Sequence, residues 1–517
     1  MNGHLKAFIV IVIIGVLGLG AAKIILPMLD KSKQLSSSDA KDIKGNITIA
    51  YDSWAGYIPL CSQEMQKRMR QSGYLLECQN DNANYDLRMS NLKKGSINFA
   101  VATVDSYILN AEKYDFPGTI IAVIDESKGG DALVANKNRL KTIDNLKAHK
   151  NLKIAFTPDS PSEHLLRSIG SHFDVPMLVK NSGSWRIEKD GSEAALKELL
   201  KGSVDAAVVW EPDVSKALKN PDMVKILGTE DTTKLIVDIL VVNRDYSLSN
   251  PDAVKTLLNN YFKTLKFFKL NPDKLIDEIR SSASLDSDNA QKVIKGVSWV
   301  NLTDNYHIWF GVDKGSAAAS EGLVETIYST VDILLDAQLF SQSPLPDGNP
   351  YRITNNSFIE TTYKQTASGF NSNLTPEQGL KKEFKPLPES GWETLREVGT
   401  LKIHPISFQS GTHELSDAGK NELQKAIKQL KHYQNFRVIV KGHTGLRGDK
   451  QANLQLSQQR ADAVMNHLIS NYGLNKNRIR AIGYGAEKPL PKIDGESSRA
   501  YNYRLPRVEL YLVSEEI

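Results

Sequence analysis

Cysteine is scarce in this sequence. Cys61 and Cys78 are the only two among 517 residues. Two cysteines cannot build a structural zinc site, so they are either two free thiols or the two halves of one disulfide. An oxidising compartment outside the cytosol favours the disulfide.

Concentrated positive charge is also lacking. The 64 Lys and Arg residues nearly balance the 60 Asp and Glu residues, and the net charge is +4 over the whole chain. Domains that bind nucleic acid usually carry a basic patch or stripe, and we find none. The sequence gives no reason to expect a nucleic-acid partner.

Catalytic signatures are missing as well. None of the ten histidines falls in an HxH or HExxH arrangement. There is no Gly-x-Ser-x-Gly elbow and no phosphate-binding loop. We therefore predict a binding protein rather than an enzyme, with no cofactor and no metal.

The N-terminus contains a long apolar run. Residues 7–22 are apolar or glycine without interruption, and Lys23 separates them from residues 24–28. A lysine near the boundary can reach the interface, so residues 7–28 are just long enough to span a bilayer. We predict that residues 1–30 form a single-pass inner-membrane anchor that leaves the other domains in the periplasm. A cleaved signal peptide is the alternative, since Gly20, Ala21 and Ala22 could form a cleavage site.

Strands and helices alternate from residue 46 onward, which predicts an open parallel α/β sheet. Two strands, 132–136 and 239–243, look like crossovers into and out of an inserted α/β lobe of about 100 residues. Two such lobes joined by paired crossovers make a hinged clamshell, which we assign to residues 45–340.

The two cysteines fall within the first strand–helix–strand unit of this clamshell. Cys61 lies in the first turn of the predicted helix 58–71, and Cys78 lies at the carboxyl end of the next strand. Both positions are at the same edge of a parallel sheet, so a disulfide is geometrically reasonable. It would close a loop of about 17 residues and contribute about 3 kcal/mol on the chain-entropy model.

Several short segments stand out along residues 47–336, namely WAGYIP (54–59), TVDS (103–106), KGGDALV (128–134), PDSPS (158–162), GSEAAL (191–196) and VDAAVVWEP (204–212). In their order and spacing they resemble the periplasmic solute-binding proteins of the nitrate, sulfonate, taurine and thiamine-precursor group. The resemblance implies a type II clamshell that binds a small polar anion or zwitterion, and an ABC permease as a further partner.

Ligands of a clamshell bind in the crevice at the carboxyl ends of the strands. Three predicted loops open helices there, and helix N-termini suit an anion. The predicted crevice residues are Trp54, Tyr57, Thr103, Asp105, Ser160, Ser162, Trp210 and Glu211. The alternative is that both tryptophans belong to the core or hinge and that Ser162 is only a helix cap. Glu211 either favours a ligand with an amine or is a solvated carboxylate at a helix start.

Residues 341–390 are rich in Pro, Gly, Ser, Asn and Thr, and we interpret them as a linker with at most one ordered segment. The C-terminal domain is assigned to residues 391–517. Ser416 is a predicted N-cap for a helix. Strand 437–441, helix 457–472, strand 480–484 and strand 508–512 complete a small α/β unit.

The stretch 442–461, GHTGLRGDKQANLQLSQQRA, resembles the signature of the OmpA-like peptidoglycan-binding domain. Arg460, beside Thr444, Asn453 and Ser457 near a helix start, suits a carboxylate-bearing ligand. The resemblance implies that this domain binds peptidoglycan through Thr444, Asn453 and Arg460.

One position of the signature departs from the family. The family's acidic residue after the threonine, which binds the amine of the diaminopimelate residue in the stem peptide, is Gly445 here. Asp449, in the same loop, is the candidate replacement. The family's paired arginines before Val-Glu are split here as Arg504 and Arg507. Wall binding is therefore expected to be weaker or altered.

Together these features predict a membrane-anchored periplasmic protein that captures a small polar solute and is tethered to peptidoglycan. The rival prediction is an envelope scaffold or signalling component whose clamshell binds a protein partner or no ligand. Tethering at both ends is awkward for a protein that must visit a permease, which keeps the rival open.

Overall fold

The computed structural model describes residues 43–148, 151–283, 287–313, 320–366, 384–409, 412–493 and 495–515. The predicted anchor, residues 1–30, lies outside these ranges. Within them, no helix combines the length and the apolar character needed to cross a membrane. The described part of the chain forms two lobes and a C-terminal domain, and elements are numbered along the chain.

The first lobe is built on a six-stranded sheet with helices around it. Its strands are β1 (Gly45–Tyr51), β2 (Tyr74–Asn80), β3 (Phe99–Thr103), β4 (Gly118–Ser127), β10 (Val237–Asn243) and β11 (Val297–Trp299). Its helices are α1 (Ile58–Cys61), α2 (Gln63–Gln71), α3 (Tyr85–Lys94), α4 (Val104–Ala111), α9 (Arg244–Ser249), α10 (Pro251–Leu270), α11 (Pro272–Ala283), α12 (Ser287–Lys295), α13 (Gly322–Asp336) and α14 (Ser357–Thr366).

The sheet of the first lobe is mixed rather than parallel. Its strand order is β11-β4-β10-β3-β1-β2. β1 pairs in parallel with β2 and β3, whereas β10 runs antiparallel to both β3 and β4. The prediction of an all-parallel sheet is therefore wrong at its centre. The reason is topological, because β10 returns from the second lobe in the opposite direction.

The second lobe has a five-stranded sheet of order β7-β6-β8-β5-β9. Its strands are β5 (Asp131–Asn136), β6 (Ile154–Phe156), β7 (Arg186–Glu188), β8 (Ala206–Trp210) and β9 (Met223–Gly228). Its helices are α5 (Ile143–Ala148), α6 (Pro161–His172), α7 (Ser192–Leu200) and α8 (Asp213–Leu218). The chain enters the lobe between β4 and β5 and leaves it between β9 and β10, so two crossovers join the lobes.

The predicted helix 58–71 is broken in two. Ser62 has extended backbone angles, and its hydroxyl accepts a hydrogen bond from Met65 N at 3.2 Å. The serine therefore caps α2 and separates it from α1. Cys61, the last residue of α1, is joined to Cys78 of β2 by a disulfide with a Cα–Cα distance of 6.1 Å.

The first part of the predicted linker belongs to the first lobe. Ile353, Phe358 and Ile359 are buried in the core of that lobe. Thr354 forms a bridge with Ile120 of β4. These apolar side chains explain why residues 345–366 pack instead of remaining a linker, despite their polar composition. Of the remaining linker, residues 367–383 lie outside the described part of the chain.

The C-terminal domain has a four-stranded sheet covered by helices. Its elements are α15 (Glu389–Glu393), β12 (Arg396–Thr400), α16 (Asp417–Leu430), β13 (Arg437–His443), α17 (Lys450–Tyr472), β14 (Ile479–Gly483), α18 (Ser498–Arg504) and β15 (Arg507–Ser514). The strand order is β12-β15-β13-β14. Ser416 caps α16 as predicted, since its hydroxyl accepts from Gly419 N at 3.1 Å.

Helix α17 begins seven residues before its predicted start at Ser457. Its N-cap is Asp449, whose carboxylate accepts a hydrogen bond from Ala452 N at 2.8 Å. The first two turns carry few apolar residues on the core side, which hides the start from a search for apolar periodicity. Gly473, with φ of 67°, ends the helix in the left-handed conformation that glycine adopts at low cost.

The C-terminal domain packs on the back of both lobes, and its core is continuous with that of the second lobe. The hydroxyl of Tyr433 lies 2.7 Å from Nδ1 of His172 on α6. His432 exchanges hydrogen bonds of 2.7 and 2.9 Å with Thr233, between β9 and β10. The other ring nitrogen of His432 lies 2.8 Å from the hydroxyl of Ser329 on α13. One helix end therefore contacts both lobes and a crossover.

Candidate functional site

A cleft lies where the two lobes meet at the crossovers. The empty space between its lining residues, with the open solvent at its mouth included, is about 370 Å³. We call it the cleft, and its lining residues are Asp52, Trp54, Tyr57, Ala83, Tyr85, Thr103, Asp131, Ser160, Pro161, Trp210, Ile236 and Asp238. Among these described residues none is Lys, Arg or His.

Strand register brings the carboxylates of the cleft together. Asp238, the second residue of β10, is paired with Asp125 of β4 on one side and with Thr103 of β3 on the other. Asp131, the first residue of β5, is paired with Trp210 at the end of β8. Both crossovers therefore place an aspartate at the junction of the lobes.

Most of these carboxylates are bound by neutral donors. Ser127 Oγ donates to Asp131 at 2.7 Å, and the hydroxyl of Tyr57 donates to Asp238. The Asp52 carboxylate is the exception, because Arg88 Nη2 lies 3.1 Å from it. Arg88 also binds Asp81, so one buried cation serves two acids.

Burial dominates the titration of the cleft acids. It raises the pKa of Asp131 to about 7, and nearby Asp105 adds to the effect. Burial likewise raises the pKa of Asp125 to about 7 against the hydrogen bond from Trp54. The pKa of Asp238 is also raised, first by burial and then by Asp125. Protonation therefore lowers the negative charge of the cleft near neutral pH.

The two tryptophans of the prediction both line the cleft, but they differ in burial. Trp54 is 8% exposed, donates from Nε1 to Asp125 at 3.2 Å and leaves no room for a Cβ at Gly130 in the first crossover. It is a hinge residue and a lining residue at once. Trp210 is only partly buried and packs against the core of the first lobe.

The helix N-termini of the cleft are closed by their own side chains. Thr103 and Ser106 form a capping box on α4, with Ser106 Oγ 3.0 Å from Thr103 N. Ser160 caps α6 by accepting from Ser162 N at 3.2 Å. Asp105 adds negative charge to the first turn of α4, whereas Glu163 in the first turn of α6 is paired with Arg167 and Arg186, each at 2.6 Å. The anion that the sequence predicted stays a prediction.

Several buried polar atoms beside the cleft have no hydrogen-bond partner among the described residues. They are Asp105 Oδ1, Asp125 Oδ2, Thr157 Oγ1, Ser162 Oγ and both ring nitrogens of His164. Asp105, Ser162 and His164 are each at least 95% buried. Such unpaired groups are costly in a protein interior, so they favour a bound partner at this place.

Five of the eight predicted crevice residues line the cleft, namely Trp54, Tyr57, Thr103, Ser160 and Trp210. Asp105 and Ser162 lie one or two residues behind the lining on α4 and α6. Glu211 is neither solvated nor part of the lining. It is buried, and its carboxylate accepts from Ser215 N and Ser215 Oγ at 3.1 and 2.8 Å. The choice between an amine ligand and a solvated acid is therefore replaced by a local role at the start of α8.

Sequence reasoning missed the acids Asp52, Asp131 and Asp238. A signal was available, because Asp131 is the first and Asp238 the second residue of buried, mainly apolar strands with the sequences DALVAN and VDILVVN. A charged residue in a strand buried on both faces is rare unless it has a partner or a function.

The second candidate site, which we call the wall loop, consists of the loop 444–449 after β13 together with Asn453 and Arg460 of α17. Arg460 of α17 donates from Nε and Nη2 to the carbonyl oxygen of Thr412, both at 3.3 Å, and lies over the ring of Phe408. Within the described residues no carboxylate faces its guanidinium, and burial lowers its pKa. The cation is half-buried and unneutralised.

The other predicted residues of the wall loop have unequal roles. Thr444 is buried, and its hydroxyl has no partner among the described residues. Asn453 donates to the carbonyl of Arg447 at 3.0 Å and holds the loop in place. Asp449 caps α17, so the structure gives it a task other than binding an amine. A Cβ at Gly445 would meet only Pro506, at 3.9 Å.

The structure defines the class of protein. It is a two-lobed α/β clamshell with paired crossovers, followed by a small α/β domain that carries the wall loop. Residues 407–503 match a family model described as OmpA family, which confirms the predicted nature of the C-terminal domain. The peptidoglycan-associated lipoprotein of Buchnera aphidicola subsp. Baizongia pistaciae (strain Bp) is 31% identical over 112 residues, 22% of this chain and 63% of that protein. Probable lipoprotein YiaD of Escherichia coli (strain K12) is 36% identical over 100 residues, 19% of this chain and 45% of that protein. The chain thus spans less than two thirds of either relative.

Solved structures with some likeness to this chain cover part of it. The alkanesulfonate-binding protein SsuA of Xanthomonas axonopodis pv. citri bound to MOPS aligns with a TM-score of 0.45 and 14% identity, covering 59% of this chain and 96% of that one. The periplasmic nitrate-binding protein NrtA of Synechocystis PCC 6803 aligns with a TM-score of 0.47 and 13% identity, covering 66% and 94%. The two-lobed architecture itself rests on the two sheets and their crossovers.

Proposed function

We propose that this protein captures a small polar solute between its two lobes and is held to peptidoglycan by its OmpA-like domain. The observation that carries the proposal is the cleft itself, which is lined from both lobes and lies against both crossovers. A ligand that touches both lobes at such a place stabilises one angle between them.

The wall-binding half of the proposal is supported by Arg460. Its guanidinium, which has no carboxylate partner within the described ranges, is suited to a carboxylate of the peptide stem of peptidoglycan. The name of the Buchnera relative, a peptidoglycan-associated lipoprotein, agrees with this assignment. Inner-membrane attachment through residues 1–30 and an ABC permease as partner remain parts of the proposal.

A thermal-shift screen of the full chain tests solute capture. A bound solute raises the melting temperature through linkage, and millimolar solute is enough to detect weak binding. Trp210→Ala is expected to remove the shift, whereas Tyr503→Ala, which alters a side chain that is 88% exposed, is expected to keep it. A broad panel of anions, zwitterions and amines that gives no shift would favour the rival function, an envelope scaffold.

A pull-down on purified sacculi tests wall binding. The wild-type chain is expected to sediment with the sacculi, and Arg460→Ala to remain largely in solution. Arg499→Ala serves as the matched control, because Arg499 is an exposed arginine of α18 in the same domain. Equal sedimentation of all three proteins would show that Arg460 does not hold the wall.

A further inference from the structure

We propose that the cleft recognises an ammonium group, so that the solute is an organic amine or an amine-bearing zwitterion. This inference rests on the proposed capture of a solute between the lobes. It assigns Asp52, Asp131 and Asp238 to the ammonium, and Trp54 and Trp210 to the apolar part next to it.

The charge of the cleft supports this assignment. Its lining carries three carboxyl groups, and none of the lining residues is basic. Arg88 lies behind Asp52, but it is shared with Asp81 and so leaves the cleft with an excess of acid. A bare anion would enter a site of its own sign, whereas a cation would supply the missing charge.

Aromatic rings supply the second feature. Trp54, Tyr57, Tyr85 and Trp210 all line the cleft. Aromatic faces attract cations, most strongly when water is excluded, and Trp is the best of them. Carboxylates together with several aromatic rings are a suitable environment for an alkylammonium group and the carbon atoms attached to it.

Unpaired buried atoms supply an independent third feature. Asp105 Oδ1 has no partner among the described residues, although Asp105 is only 4% exposed. Asp105 lies two residues after the lining residue Thr103, and its charge acts on Asp131. Ser162 and His164, just after the lining residue Pro161, also have unused hydrogen-bonding atoms. These groups can bind the polar remainder of the solute.

A metal ion fits less well than an amine. Among the described residues, no three His, Cys, Asp or Glu side chains are arranged so that they could hold a metal ion. The acids of the cleft are bound instead by Ser127, Tyr57 and Trp54 through single hydrogen bonds. An ammonium group accepts such separated oxygens, because its three donors need no fixed coordination geometry.

The empty cleft retains protons that an ammonium group would displace. Burial raises the pKa values of Asp125 and Asp131 to about 7, so both groups are partly protonated near neutral pH, and it raises the pKa of Asp238 as well. The ionisable groups that act on them are Asp52, Tyr57, Asp105, Glu126 and Glu211. Binding of an amine therefore releases protons, and its affinity rises with pH as long as the amine stays charged.

Three related solutes separate the possibilities when they are added to the full chain in a thermal-shift and calorimetry experiment. Ethanolamine carries only a cation, taurine carries both charges, and isethionate carries only an anion. We expect ethanolamine and taurine to bind and isethionate not to bind. Binding of isethionate alone would overturn the ammonium assignment and leave solute capture intact. If none of the three solutes binds and no member of a wider panel binds, both the ammonium assignment and solute capture are overturned.

Two variants locate the site. Asp131→Asn and Asp238→Asn are each expected to weaken amine binding about tenfold or more, because each removes a charge-assisted hydrogen bond. Asp222→Asn, which alters an exposed carboxylate of the second lobe, is the matched control and is expected to bind like the wild type. Amine binding that is unaffected by both cleft variants would overturn the assignment.

A measurement on the wild type needs no variant to fold. Calorimetric titration with ethanolamine in buffers of different ionisation enthalpy is expected to show proton release near pH 7. Binding without proton release near this pH would contradict the displacement of protons from the cleft acids and with it the ammonium assignment.

Discussion

The cleft and the wall loop are incomplete in opposite senses. In the cleft, Asp52 has a cation partner in Arg88, but the donors recorded for Asp131 and Asp238 among the described residues are neutral. In the wall loop, Arg460 donates to a carbonyl oxygen and faces no carboxylate within the described part of the chain. Each site therefore lacks the charge that its proposed ligand would bring.

The two sites lower the cost of an unpaired charge by different means. In the cleft, which is buried, protonation neutralises the acids. In the wall loop, Arg460 keeps its charge because it is only partly buried and solvent reaches it. Burial thus decides how a site without a partner lowers the cost of its charge. A buried acid does so by protonation, whereas a partly exposed cation does so by contact with solvent.

The largest expected effect concerns the buried acid. Burial raises the pKa of Asp131 from 3.8 to about 7, so between these values the folded protein holds a proton that the unfolded chain has lost. Stability of the wild type therefore falls as pH rises through this window, by up to about 1.4 kcal/mol per pH unit. Asp131→Asn is expected to remove this slope and to be more stable at pH 7 by up to about 4 kcal/mol.

Unfolding measured from pH 4 to pH 7 checks this prediction. The difference between Asp131→Asn and the wild type is expected to vanish near pH 4 and to grow toward pH 7. Asp222→Asn should show no such growth, because Asp222 is exposed. A difference that does not change with pH would mean that Asp131 is ionised in the folded protein.

The next effect concerns a variant that adds an acid to the wall loop, so that both sites carry an acid. Gly445→Asp puts an acid beside the cation of the wall loop, at a position with room for the side chain and no left-handed backbone angle. The new carboxylate can form a charge-assisted hydrogen bond with the amine of the diaminopimelate residue in the stem peptide. Such bonds contribute about 1.5–3 kcal/mol, so affinity for sacculi is expected to rise about tenfold. Gly445→Asn has the same shape without the charge and should gain much less. Equal gains from both variants would point to shape rather than charge.

A smaller effect is expected where the C-terminal domain meets the second lobe. Tyr433→Phe removes the hydroxyl that lies 2.7 Å from His172 Nδ1, and both side chains are buried. The loss is expected to lower the unfolding free energy of the full chain by about 1–2 kcal/mol. Tyr503→Phe, at a side chain that is 88% exposed, should have no effect. If the two variants behave alike, this contact does not stabilise the domain interface.

The smallest effect tests whether Asp449 replaces the acidic residue that the family has at the position of Gly445. Asp449→Ala removes the N-cap of α17 and is expected to cost about 1 kcal/mol of stability. Asp449→Asn should restore stability, because asparagine caps as well as aspartate. Neither variant is expected to change sacculus binding. Weaker binding by both variants would show that Asp449 contacts the wall after all.

Strands β5, β10, β13, β14 and β15 could be predicted because their apolar patterns are local, whereas β4, β7, β9, β11 and β12 were not predicted. Strand direction could not, because the antiparallel placement of β10 depends on the return of the chain from the second lobe. The same register places Asp238 next to Asp125, and no spacing along the sequence encodes that neighbour. The aromatic lining residues Trp54 and Trp210 were recognisable because they lie near the carboxyl ends of the strands β1 and β8.

The places where prediction failed have a common physical cause. Residues 345–366 have the composition of a linker, yet four apolar side chains among them are buried, those of Leu345, Ile353, Phe358 and Ile359. The start of α17 is set by one cap hydrogen bond from Asp449 rather than by an apolar face. Glu211 is at the end of a strand as expected, but Ser215, four residues later, satisfies it. In each case a few contacts outweigh the average character of the segment.

The contacts of His432 have a mechanical consequence. Its ring and backbone bind Thr233 and Ser329, and it stacks on His172 of the second lobe. A change in the angle between the lobes cannot preserve all these contacts at once. Tension applied to the C-terminal domain would therefore be transmitted to the mouth of the cleft. Because coupling is reciprocal, a ligand bound in the cleft would change how the protein responds to that tension.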